Sequence, residues 1–132
     1  MDTDNKTVML VLCRKIIAEI LAEAIQKRTA LETFELCEYD RVKDMAALKK
    51  PKLALVEVPE RHGTPALDTL AVCEEIKEAS PDCKIILICP ENDGESVKVS
   101  TQAVKDRKID DFIFYDLSVD YLIAKLRALL PA

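Results

Sequence analysis

Three stretches of the chain are continuously apolar and short: Thr7–Cys13, the Leu53–Val56 run inside PKLALVEVP (Pro51–Pro59), and Lys84–Cys89. Runs of this length predict strands buried on both faces, as in the interior of a parallel sheet covered by helices. Leu31–Tyr39 alternates instead, with Phe34 and Leu36 on one side and Glu35 and Cys37 on the other, which suits an edge strand. Ile109–Tyr115 supplies a fifth strand.

Helical spacing fills the gaps. Arg14–Arg28 places Ile16, Ile17, Ile20, Leu21, Ala24 and Ile25 on one stripe. A short helix after Asp40, its expected N-cap, turns Val42, Met45, Ala46 and Leu48 inward. Ala66–Ala79 buries Leu67, Leu70, Ala71 and Ile76 and stops at Ser80-Pro81-Asp82. Glu95–Lys108 has the thinner stripe Val97, Val99, Ala103 and Val104, and Leu117–Leu130 a strong leucine stripe capped by Ser118. Five βα units with short connections and right-handed crossovers predict an α/β fold. The expected form is a single (βα)5 domain over residues 1–132, a three-layer α/β/α sandwich on a five-stranded parallel sheet. An edge strand in second place selects the flavodoxin-like order 2-1-3-4-5.

Composition narrows the function classes. Nineteen Lys and Arg against 24 Asp and Glu give a net charge of −5, with no field favouring nucleic acid or an anionic membrane surface. No apolar run approaches the roughly 20 residues that span a bilayer, and the polar start MDTDNKTV is not a signal peptide, so a cytoplasmic protein is expected. The five cysteines form no CxxC pair and read as reduced thiols. With only Gly63 and Gly94 in the chain, glycine-rich phosphate loops are excluded.

Taken together, PKLALVEVP, KIILICPEND and KIDDFIFYDLSVDYLIAKLRALL resemble response-regulator receiver domains, the CheY-like family, from about Val8 to Leu130. The first is similar to the family's PDLVLLDxxxP pattern around its phosphoacceptor aspartate. The last is similar to its GADDYLxKPFxxxELxARxRALL ending. The resemblance implies a two-component signalling module and assigns roles to positions that this chain fills differently. Where two acids would hold Mg²⁺ stand Cys13 and Arg14, a thiol and a fixed cation, although Mg²⁺ takes oxygen ligands. Glu57 occupies the phosphoacceptor position, and Cys89 the switch Thr/Ser position. Tyr115 replaces the lysine that pairs with the phosphoryl group, and Asp116 the proline after it. Phosphoryl transfer that relies on metal and lysine is not expected.

Glu57 then reads either as a solvated acid paired with Arg14 or as a fixed anion mimicking a phosphorylated aspartate. Cys13 and Cys89 read as packing residues, two strand spacings apart and beyond disulfide reach. Alternatively, they would form a thiol-responsive site or, with Glu57 and His62, a zinc site, though the spacing matches no metal motif. Tyr115 is expected half-buried beside the last helix, near an apolar pocket. No cofactor and no catalytic residue is expected. The expected partner is another signalling protein or domain. The resemblance points to the face of the fourth helix, fifth strand and fifth helix, where Lys105, Arg107, Asp110, Asp111, Lys125 and Arg127 could make a self-complementary dimer. A working phosphoacceptor that uses Glu57 is the alternative.

Overall fold

A computed structural model describes residues 6–59, 65–90, 93–115 and 118–130. Its elements run β1 (Thr7–Val11), α1 (Lys15–Arg28), β2 (Glu32–Leu36), α2 (Val42–Lys49), β3 (Leu53–Glu57), α3 (Pro65–Ala79), β4 (Lys84–Cys89), α4 (Gly94–Lys105), β5 (Asp111–Phe114) and α5 (Val119–Leu129). The strands form one parallel sheet in the order β2-β1-β3-β4-β5, as the pattern predicts.

Strand alternation sorts the core into two layers. Met9, Val11, Ala54, Val56, Ile85 and Leu87 face α2, α3 and α4. Val8, Leu10, Leu53, Leu55, Ile86 and Ile88 face α1 and α5. All five residues of β3 are buried, because β1 and β4 flank it and helices cover both faces. Each such aliphatic side chain contributes about 1.5–3 kcal/mol by leaving water.

Several inward assignments need correction. On α1 the sheet-facing residues are Ala18, Ala22 and Ile25, with Ile17 and Leu21 beside them, while Ile16 and Ile20 are 72% and 53% exposed. Two small alanines let the helix lie close to the sheet, which rotates the outer isoleucines into solvent. On α2, Leu48 is exposed, and Asp40 is not the cap: Tyr39–Arg41 form a single 3-10 turn before the helix. On α3 the buried stripe is Ala66, Thr69, Leu70, Cys73 and Ile76, and Leu67 and Ala71 lie outside it. The α4 stripe is small and partly polar, with Ser96, Ser100 and Ala103 buried and its valines only half-covered. Ser118 does cap α5, accepting from the Tyr121 N–H at 3.1 Å. Among the described residues no helix is long and apolar enough to cross a membrane.

Candidate functional site

The site lies where β1, β3 and β5 end at the carboxyl edge of the sheet, the edge at which open α/β sheets collect ligands. Alternation along β3 sends Leu53 and Leu55 toward α1 and α5, and Glu57 follows them. Its side chain is 2% exposed, so it is not a solvated acid. Burying a carboxylate is costly unless hydrogen bonds replace its water, and here both oxygens are engaged. Oε1 accepts from the Cys13 backbone N–H at 2.6 Å. Oε2 accepts from the Tyr115 hydroxyl. Arg14 supplies the counter-charge, with Nε 3.7 Å from Oε2 and its guanidinium 4.8 Å above the centre of the Tyr115 ring.

These three partners reach Glu57 for local reasons. The turn after Leu12 points the Cys13 N–H inward and leaves its thiol exposed, so Cys13 acts through its backbone and is not a packing residue. Arg14 precedes α1 in extended backbone, half-exposed, and lays its planar head on the aromatic face. Tyr115 follows β5 and packs against the α1–α5 layer, half-buried as expected. The apolar cavity beneath it is about 60 Å³, room for a water or two and for no organic ligand.

A fourth group was not singled out from the sequence. The Tyr39 hydroxyl donates to the Glu57 carbonyl at 2.9 Å and stands 2.7 Å from Thr69 Oγ1, which donates to the Pro65 carbonyl at 2.8 Å. This chain of contacts ties the 3-10 turn and the start of α3 to the end of β3. The visible signal was a buried-stripe threonine, Thr69, amid the apolar residues of α3.

Cys89 does not join the site. It ends β4 inside the opposite layer, under α3 and α4, and burial raises its thiol pKa despite the Ser100 hydroxyl beside it. Nearby, Ser96 donates to Asp93 at 2.6 Å, which lowers the Asp93 pKa. Cys73 and Cys83, deeper in the same layer, are pushed up from 9.0 to about 12, chiefly by burial. Among the described residues no cluster of three His, Cys, Asp or Glu is placed to hold a metal. His62 and Asp116 lie outside the described residues.

The six charged positions proposed for an interface divide. Asp110 is braced inside the chain, accepting from the Ile85 N–H at 2.8 Å with Lys77 Nζ at 3.4 Å. Asp111 pairs with Lys125, whose pKa is raised first by that hydrogen bond, and Arg127 donates to the Arg28 carbonyl at 2.8 Å. Lys105 and Arg107, where α4 ends, are exposed.

No protein-family model and no curated protein matches the chain. Solved structures do. A response regulator from Thermotoga maritima aligns with TM-score 0.77 at 21% identity, covering 96% of this chain and 98% of its own. A response regulator receiver domain protein (CheY-like) from Methanospirillum hungatei JF-1 gives 0.74 at 15%, covering 93% and 91%. A response regulator protein from Burkholderia pseudomallei, solved with a phosphorylated aspartic acid, calcium ion and citrate, gives 0.73 at 19%, covering 96% and 67%. The chain therefore has the CheY-like receiver fold.

Proposed function

We propose that this protein is a signalling module of the two-component type that works by protein–protein contact without aspartyl phosphorylation. The observation that carries this reading is the buried Glu57 carboxylate with both oxygens already engaged, by the Cys13 N–H and the Tyr115 hydroxyl. A phosphoacceptor must present a free carboxylate oxygen to the donor, with a metal and a cation to neutralise the transferred charge. Here Arg14 stands at the metal-acid position and Tyr115 at the lysine position, and each holds Glu57 instead. The internal anion, bonded to the loop after β1 and to the end of β5, supports one fixed arrangement of that edge.

The test is intact mass after incubation with Mg²⁺ and acetyl phosphate, run beside Glu57→Gln. No adduct is expected on either protein. A stoichiometric adduct on the parent that Glu57→Gln abolishes would make this a working phosphoacceptor and overturn the reading.

The charge arrangement favours a different protein over a second copy as partner. Asp110 and Asp111, the acids a two-fold contact would use, are paired within the chain, whereas Lys105 and Arg107 make no ion pair with any described residue. A cationic edge at the end of α4 fits an acidic partner surface. Sedimentation across a salt series is expected to show a monomer throughout, and a dimer that dissociates as salt rises would favour the self-complementary contact.

A further inference from the structure

The edge of the sheet opposite Glu57 carries a second concentration of charge. Lys6, Lys52 and Lys84 stand where β1, β3 and β4 begin. The Lys52 N–H donates to the Thr7 carbonyl at 2.8 Å and the Lys84 N–H to the Lys52 carbonyl at 2.9 Å, which brings the three residues to neighbouring strand starts at one edge of the sheet, Lys6 two register steps behind Lys84. With parallel strands about 4.8 Å apart and a stagger of two residues, the Lys6 and Lys84 backbones lie roughly 12 Å apart, with Lys52 on the strand between them. None of the three makes an ion pair with any described residue. Such a row repels itself until an anion joins it.

All three lysines line one cavity of about 770 Å³, within the size range of small-molecule sites. Its apolar wall is Leu31, Leu129 and Leu130, from the chain segments where α1 and α5 end. Two helix carboxyl ends would oppose an anion through their dipoles, but a guanidinium group covers that of α1. Arg127 donates to the Arg28 carbonyl at 2.8 Å, and Arg28 is fixed by Asp120 at 2.6 Å. Asp82 is the single carboxylate among the lining residues, against five cations.

We propose that this cavity binds a small amphiphilic anion, its carboxylate or phosphate head held by the lysine row and its aliphatic or aromatic body laid on the leucines. Inorganic phosphate would leave the leucine wall wet, and a neutral lipid would leave the lysines uncompensated, so both parts of the ligand are required. The inference stands apart from the reading of Glu57, which lies at the other end of the sheet.

The experiment is an amide NMR titration of the full chain with monomeric decanoate. Saturable shifts are expected at Lys6, Leu31, Lys84 and Leu130, with Glu57 and Tyr115 unmoved. Lys6→Ala with Lys84→Ala is expected to weaken binding about tenfold, the scale of two lost charge contacts. Lys52→Ala, at an exposed side chain, repeats the test should the pair disturb β4. Decanol and inorganic phosphate are each expected to bind at least about tenfold more weakly than decanoate, having lost one of the two contacts. Failure to saturate, equal affinity for decanol, or shifts centred on Glu57 would overturn the proposal. So would binding to phosphatidylglycerol vesicles without binding to monomeric decanoate, which would make the row a membrane-surface contact.

Discussion

At the carboxyl edge of the sheet a single negative charge, Glu57, is taken inside and wrapped by a backbone N–H, a tyrosine hydroxyl and a stacked arginine. At the amino edge three positive charges, Lys6, Lys52 and Lys84, line an open cavity without partners among the described residues. The same five strands thus end in a closed charge and begin with an open one. A charge with all its hydrogen bonds satisfied by its own chain contributes to holding a conformation. A charge left uncompensated contributes little to stability and is available to something else.

That contrast is broken most directly by removing the closed charge. Glu57→Ala leaves the Cys13 N–H without its acceptor in a buried setting and frees Tyr115 and Arg14. Loss of charge-assisted bonds from a buried site together with the vacated space is expected to cost about 3 kcal/mol in urea unfolding. A change below about 0.5 kcal/mol, the level of ordinary surface substitutions, would mean the carboxylate is not held as described. Tyr115→Phe keeps the ring under Arg14 and removes only the hydroxyl, so a smaller loss of about 1–2 kcal/mol is expected. Ser118→Ala, which strips the cap from α5, is expected to cost about 1 kcal/mol.

How much of this was legible beforehand follows the same division. The strands were readable because a strand buried on both faces has no polar period to disguise it, so Leu53–Val56 and Ile85–Cys89 stand out as unbroken runs. Helix faces were less readable. Leucine and isoleucine outweigh alanine in any sequence pattern, yet on α1 it is Ala18 and Ala22 that meet the sheet. On α3 the polar Thr69 interrupted the true stripe because its hydroxyl is satisfied by the Pro65 carbonyl, a bond no periodicity reports. The positions around Glu57 were found through family resemblance, but their arrangement was not. A lone acid after an apolar run ordinarily faces water, and its burial here depends on a tyrosine 58 residues away.

The thiols give a comparison of closed and open groups across the molecule. Cys13 and Cys37 are exposed and are expected to react with a disulfide reagent in the folded protein, while Cys73 and Cys83 react only on unfolding. The pH dependence has a definite sign. Cys73 and Cys83 have folded pKa values near 12 against 9.0 unfolded, so below about pH 9 both states hold the protons. Between about 9 and 12 the unfolded chain releases protons that the folded chain keeps, and stability falls with rising pH. Replacing both cysteines with alanine is expected to flatten that fall, and an unchanged slope would show that the thiols do not titrate out of reach.

The smallest expected effect is the most specific to the open end. Lys52 lies between Lys6 and Lys84 in the row, so Lys52→Glu turns two repulsions into two attractions. The side chains involved are exposed or half-exposed, which limits the gain to a few tenths of a kcal/mol, about 0.5 at most at low salt. Near 1 M salt, where the screening length shrinks to about 3 Å, the gain should vanish. The same substitution is expected to abolish decanoate binding, so stability and ligand affinity move in opposite directions. A paired structural lysine would behave otherwise: its reversal would destabilise the fold. A measured loss of stability at low salt would therefore place Lys52 with Glu57, among the charges the chain keeps for itself.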